Sequence, residues 1–241
     1  MSQPLAPGAF AKALQDRRDA TRRRRLILWG SIGGAVLLLG VGVYVMLFSP
    51  VFAARHVDVG GTSLLQPETV EAAAAVPIGT PLLRQDTGAI AARVSELAPV
   101  EEVEVRRSFP DTVTVLVTER VLSYQLAREG GVDWVDASGI VFNFTKSPTA
   151  GVPQVVAEAP DERLRRDIAT VVDLIPDQLR PEVETVQAEA VDRITLDLTD
   201  GRQVVWGSSE ESELKGQVLA ALLSVDAELY DVSAPRQPTT R

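Results

Sequence analysis

The chain has 241 residues, 45% of them hydrophobic, enough for one or two packed domains and too many for a wholly disordered one. It has no cysteine, so a disulfide framework is excluded and burial alone must hold the fold. The net charge of −9 is unevenly spread: residues 1–25 hold seven basic and two acidic side chains, +5, which leaves −14 on the rest, a charge that a phosphate backbone repels and that argues against nucleic acid as a partner.

Pro4, Pro7 and Gly8 break any early helix, so residues 1–21 are expected to lack structure, although Phe10 to Arg25 can form a basic helix. Leu26 to Phe48 is 23 residues without a charge. At ~1.5 Å per residue that is about 35 Å of helix, which spans a ~30 Å hydrocarbon core. Arg22, Arg23, Arg24 and Arg25 abut its start. Positive flanks stay inside, so the N-terminus is expected in the cytoplasm and the acidic bulk outside. The basic head would also touch anionic lipid. Trp29 stands near the inner interface, and Tyr44, Phe48 and Phe52 near the outer one. Pro50 ends the helix. A cleaved signal peptide competes with this reading, because Val51-Phe52-Ala53 loosely fits a cleavage site; a signal core, however, runs only ~7–15 residues. Gly30 and Gly34, with Gly33, Gly40 and Gly42 nearby, fit either a helix-packing face or the ordinary glycine content of membrane helices.

Beyond the span, His56 to Val59 alternate as a short strand before Gly60-Gly61. Ser63 is placed to start a helix over Pro67 to Val76, stopped by Pro77 and Gly79. Asp86 is the expected N-cap of a second helix, in which Ile90, Val94 and Leu97 mark one buried face. Two strands follow, Val103 and Val105 in the first, Val113, Val115 and Val117 in the second, joined by a turn at Phe109-Pro110-Asp111. This order predicts a three-stranded sheet with both helices on one face.

The second half opens with a hairpin, Val132 to Asp136 and Ile140 to Phe144 around Ala137-Ser138-Gly139. Gly151-Val152-Pro153 reads as a loop. Pro160 to Ile175 is an amphipathic helix with Leu164, Ile168, Val171, Val172 and Ile175 on one face. Val183 to Ala190 is a strand, and Ile194 to Leu198 returns through Asp200-Gly201 to Val204, Val205 and Trp206. A helix is expected over Ser209 to Ser224, then a last strand at 226–232 and a tail from Pro235.

Catalysis needs a nucleophile, a tuned base or a metal, and the residues offer little. His56 stands alone, without ligands at metal spacing. Glu101, Glu102 and Glu104 fit the solvent face of a strand better than a general-acid pair. Ser138-Gly139 and Gly207-Ser208-Ser209 fit turns and a helix cap. What remains is binding through a sheet edge. The last strand would present Tyr230, Asp231, Val232 and Ser233 to a partner, unless Tyr230 simply packs on the helix at 209–224.

Several strings carry a resemblance. VEEVEVRRSFPDTVTVLVTER, from Val100 to Arg120, resembles the POTRA hairpin of the FtsQ/DivIB cell-division family, with its arginine, its aromatic-proline turn and a strand closing in Glu-Arg. PIGTPLLRQD, from Pro77 to Asp86, is similar to that family's connector. LTDGRQVVWGS (Leu198 to Ser208), Lys215 and DVSAPRQPTTR (Asp231 to Arg241) resemble its actinobacterial branch. Residues and resemblance together predict an α+β chain: a cytoplasmic basic tail over 1–25, a transmembrane helix over 26–48, a β-α-α-β-β POTRA-like domain over 52–120, a mainly antiparallel β-domain with two helices over 121–235, and a tail over 236–241. The resemblance implies a non-catalytic, essential-type divisome scaffold without cofactor, metal or small-molecule substrate. It would be a single-pass type II protein of the inner membrane at the septum. It would link early and late division proteins, help control septal peptidoglycan synthesis and bind the FtsB/FtsL coiled-coil pair through its C-terminal edge strand. The rivals are a membrane-anchored cell-wall enzyme and a POTRA-type polypeptide-binding transport component.

Overall fold

The structure, a computed structural model, describes the backbone from Ala9 to Arg241 and the side chains from Leu28 onward, so residues 1–8 and the side chains of Arg22, Arg23, Arg24 and Arg25 lie outside what is described. Helix α1 (Ala9–Phe48) runs for 40 residues. The stretch 9–21 is therefore helical, as the basic helix from Phe10 to Arg25 allowed and against the lack of structure also expected there; its Ala, Leu, Gln, Lys and Arg are strong helix formers once past Gly8. Its segment Leu28–Phe48 is the one helix among the described residues long and apolar enough to cross a membrane, and it is not buried against the protein. Ser49 ends α1 and caps a single 3-10 turn over Pro50–Phe52, its side chain accepting from the Val51 N–H.

The next elements are β1 (His56–Gly60), α2 (Pro67–Ala74), α3 (Thr87–Ser95), β2 (Val100–Ser108) and β3 (Thr112–Glu119). The three strands form a sheet ordered β1-β3-β2. Because β3 is central, its inward Val113, Val115 and Val117 are buried, whereas Val103 and Val105 of the flanking β2 are only half-buried. Each helix buries one face, Val70 and Ala74 in α2, Ile90 and Val94 in α3. Asp86 does cap α3, accepting from the Ala89 N–H at 3.0 Å.

Ser63 does not start α2 as expected. Its N–H and hydroxyl donate instead to the Glu119 carboxylate at 3.0 and 2.7 Å, joined by the N–H groups of Leu64 at 2.8 Å and Leu65 at 2.7 Å. The loop thus wraps an anion at the end of β3, a contact that only the folded chain can reveal. Desolvation pushes the Glu119 carboxyl up, but the bonds from Leu64, Leu65 and Ser63 outweigh it and hold the group below its ordinary value. A folded pKa depressed in this way gives stability that is full above the unfolded value, about 4.3, and is lost as pH falls through the folded one. Solvent screens much of this at a partly exposed carboxylate, so Glu119→Gln is expected to cost about 1 kcal/mol at neutral pH. Urea titrations across the acid range should show a shallower loss of stability for the variant than for the parent chain.

The remaining strands are β4 (Tyr124–Arg128), β5 (Gly131–Val135), β6 (Val141–Thr145), β7 (Gln154–Val156), β8 (Val183–Ala190), β9 (Arg193–Leu198), β10 (Gln203–Gly207), β11 (Leu229–Asp231) and β12 (Thr239–Thr240). They form one sheet, ordered β12-β11-β10-β9-β8-β7-β4-β5-β6. Pairing is mainly antiparallel; β4 with β7, β7 with β8 and β10 with β11 are parallel. Strand β4 goes unread in the sequence because Gln125, its second residue, is buried between Tyr124 and Leu126, which spoils the alternation. Its amide nitrogen donates to the carbonyls of Thr149 and Val152, and its amide oxygen accepts from the Thr149 N–H at 2.6 Å. The loop expected at Gly151-Val152-Pro153 is present, and the three residues after it, unassigned from the sequence, form β7, which pairs with β4 and β8.

Two helices bury the sheet's apolar side. Helix α4 (Glu162–Asp173) is capped by Asp161, which accepts from the Leu164 N–H, and buries Leu164, Ile168, Val171 and Val172. Helix α5 (Ser212–Leu222) begins after Glu211 without a side-chain cap and buries Leu219. Both helices join one core with Tyr124, Val186, Leu196, Val204 and Trp206. By contact density the chain forms two compact units: residues up to 58 with 75–90 and 105–115, and residues 59–74 with 91–104 and 116–241.

Candidate partner-binding site

The site sits in the second unit, where the large sheet ends in β9, β10, β11 and β12. The Asp200-Gly201 turn is the origin of its geometry. Gly201 takes φ 89°, a conformation that side chains disfavour. Asp200 accepts from the Arg202 N–H at 3.0 Å and also from its guanidinium. These bonds to Arg202 hold the Asp200 carboxyl below its ordinary range. The same guanidinium donates to Glu182 and lies 6.0 Å from the centroid of the Tyr230 ring. A pair of carboxylates thus fixes one arginine over an aromatic face.

Tyr230 is 1% exposed. It pairs in parallel with Val204 and in antiparallel with Thr240, and its hydroxyl donates to the Val225 carbonyl at 2.7 Å. Val232 is also buried, and its N–H donates to the Val205 carbonyl at 3.0 Å. Asp231 is half-buried and Ser233 exposed. The Asp231 carboxylate accepts from the Ser233 N–H and hydroxyl at 2.9 and 2.6 Å. The four singled-out residues therefore lie together, but unequally: Tyr230 and Val232 belong to the core, and Asp231 and Ser233 reach solvent.

One expectation is corrected. The strand at 229–231 is not the edge of the sheet, because the segment read as a tail folds back on it. Thr239 pairs with Asp231 and Thr240 with Tyr230. Arg241 exchanges backbone hydrogen bonds with Leu229 at 3.0 Å in each direction. Strand β12 is only two residues long and fully exposed. Such a short hairpin return carries no alternation to read. Beside it opens a cavity of about 710 Å³, lined among others by Asp200, Arg202, Leu223, Tyr230 and Arg241. Arg202 and Arg241 went unnoticed in the sequence; the Asp-Gly-Arg string is the signal that marks the first.

His56 is exposed on β1, and Glu101 and Glu102 are exposed on β2. Asp136 turns the 136–140 loop by accepting from the N–H groups of Ser138 and Ile140. Ser209 donates to Asp167, and the Ser208 carbonyl accepts from the buried Lys215 ammonium at 2.7 Å. Burial pushes the Lys215 ammonium below its ordinary value, against the pull of Glu210 and Glu211. Among the described residues, no group of three or more His, Cys, Asp or Glu side chains is placed to hold a metal.

An apolar helix ahead of a β-α-α-β-β domain and a β-domain defines a class: membrane-anchored POTRA proteins of single-pass build. The family model described as "POTRA domain, FtsQ-type" matches residues 52–120. The model for the C-terminal part of "Cell division protein FtsQ/DivIB" matches residues 124–234. The chain belongs to the FtsQ/DivIB family of cell division proteins. It is 38% identical to the cell division protein FtsQ of Streptomyces bingchenggensis (strain BCW-1) over 92% of this chain and 88% of that one. It is 34% identical to the FtsQ of Mycolicibacterium smegmatis over 97% of this chain and 70% of that one. A solved structure, the extracytoplasmic domain of the trans isomer of DivIB from Geobacillus stearothermophilus, is similar at a TM-score of 0.37 and 13% identity, covering 50% of this chain and 98% of that one, too distant to carry an argument.

Proposed function

We propose that this chain is a non-catalytic scaffold of the divisome that binds the FtsB/FtsL coiled-coil pair at the β11 end of its large sheet and so helps control septal peptidoglycan synthesis. The α1 span anchors it as a single pass. Arg22 to Arg25 keep the N-terminus cytoplasmic and place both folded domains outside, at the division septum, where the early and late division proteins meet. The reading rests on one observation. The sheet end formed by β11 is covered by a short return of three residues, Thr239, Thr240 and Arg241, next to an open cavity. Backbone groups there can pair with an extended partner segment, either on β12 or in its place. Asp231 and Ser233 would then select side chains of the partner, while buried Tyr230 and Val232 hold the strand in position.

The test is binding of a purified FtsB/FtsL-type pair to the full chain in detergent. Removing residues 236–241 is expected to change affinity at least about tenfold, ~1.4 kcal/mol. Affinity rises if the partner replaces β12 and falls if it adds to β12. An Arg241→Pro variant, which lacks the backbone donor to the Leu229 carbonyl, should shift it in the same direction as the deletion. Affinity unmoved by both changes would remove the sheet end from the interface.

A further inference from the structure

We propose that the first compact unit carries a lipid-binding footprint of its own: Val51, Ile78, Leu83 and Phe109 rest in the headgroup–acyl boundary of the leaflet from which α1 emerges. The proposal depends on the membrane-anchor reading of α1.

Three segments distant in the chain meet just beyond Phe48. They are the turn at 50–56, the connector at 77–85 and the hairpin tip at 109–111. Backbone hydrogen bonds knit them: Ala54 donates to Thr80 at 2.9 Å, Gly79 to Ala54 at 2.8 Å, and Arg55 to Asp111 at 2.8 Å. The rings of Phe52 and Phe109 meet edge to face with centroids 6.1 Å apart. The Arg84 guanidinium lies 5.7 Å from the centroid of the Phe48 ring, the last residue of the span. The connector and the hairpin tip are thus tied to the exit point of the helix.

At this end large apolar side chains face outward. Val51 is 60% exposed, Ile78 59%, Phe109 51% and Leu83 39%. A single exposed apolar residue is ordinary, but a group gathered at one place marks a surface with an occupant. Distance selects lipid. Val51 is three residues past Phe48, within about 11 Å even if the chain were fully extended. The interfacial layer outside the hydrocarbon is ~5–8 Å deep, and apolar faces of peripheral segments settle ~5–10 Å into that boundary. The polar neighbours suit the same depth. Arg55 is exposed, and Arg84 lies over the Phe48 ring; cations on apolar stems reach headgroup phosphates in this way. The Asp111 backbone carbonyl accepts from the N–H groups of Arg55 and His56, and its carboxylate is half-buried and accepts from the Thr112 hydroxyl at 3.4 Å.

The cysteine-free sequence makes the test direct. Single variants Ile78→Cys and Phe109→Cys of the full chain are labelled with a nitroxide in vesicles of phosphatidylethanolamine and phosphatidylglycerol. Leu38→Cys serves as the reference inside the span. Val156→Cys on β7, 44% exposed, serves as the reference in water. The ratio of collisions with oxygen to collisions with a water-soluble nickel chelate is then measured. Positions 78 and 109 are expected several-fold above position 156 and below position 38. Values at 78 and 109 equal to that at 156, with 38 still lipid-like, would overturn the footprint, leave the anchor intact and free this surface for a protein. A water-like value at 38 would overturn the anchor itself.

Discussion

Asp136→Ala is expected to lower the free energy of unfolding by roughly 3–5 kcal/mol, the usual cost of breaking a buried ion pair on one side. The carboxylate is 5% exposed and accepts from the Arg120 guanidinium at 2.6 Å, from Ser138 N–H at 2.9 Å and from Ile140 N–H at 2.8 Å. Alanine leaves two backbone donors and a cation unpaired where little water reaches, since only 17% of the Arg120 side chain is exposed. At ~2–4 °C per kcal/mol for a domain of this size, the thermal midpoint should fall by about 10 °C. Asp136→Asn retains an acceptor for the two backbone groups and should fall between parent and alanine variant. A loss below about 1 kcal/mol for alanine would mean that the pair behaves as a surface salt bridge.

Trp206→Ala is expected to cost a further-reaching 3–5 kcal/mol, approximately the loss for any large core aromatic cut to a methyl group. Trp206 is fully buried on β10, and its indole N–H donates to the Ser212 hydroxyl at 3.0 Å. It is packed under α5, where Gly216 leaves room: a Cβ there would lie 3.9 Å from the ring and 2.7 Å from the Leu174 carbonyl oxygen. Strand β10 is also the strand on which β11 is laid. The variant should therefore lose partner binding in step with its folded fraction, and binding measured well below its thermal midpoint should recover. Urea unfolding followed by circular dichroism gives the stability loss. Trp206→Phe, which keeps most of the volume, should lose much less. Equal losses for alanine and phenylalanine would assign the effect to the hydrogen bond instead of the packing.

These two sites show what the second unit asks of its residues. Asp136 shapes a turn between β5 and β6, far along the sheet order from the candidate site, while Trp206 fastens α5 to the strands that build it. The strand addition proposed above needs a sheet end held firmly from behind and thinly covered in front. Trp206, Lys215 and the Arg202 cluster supply the first condition, and two-residue β12 supplies the second.

Local elements were legible where a pattern repeats along the chain. The valines of β3 alternate, the apolar face of α4 recurs every three or four residues, and Asp200-Gly201 is a turn whose chemistry names it. Strands β4, β7 and β12 were not legible. Gln125 puts a polar side chain in the core, β7 is three residues long, and Thr239-Thr240 carries no apolar signal at all. Ser63 misled because a serine before a helix usually caps it, whereas here its nearest anion is Glu119, more than fifty residues away in sequence.

The order of amino acids by itself determined which segment can enter lipid, the helices and the strands other than β4, β7 and β12, and the family to which the chain belongs. Those properties depend on length, charge and spacing within a few residues. The tertiary structure alone decided which strand lies outermost, which of the four candidate residues reach solvent, and which side chains gather at the foot of the membrane helix. Each of these depends on pairings between distant segments, β10 with β11, β4 with β7, residue 54 with 80, and the free energy of such pairings comes from burial and backbone hydrogen bonds that no local pattern records.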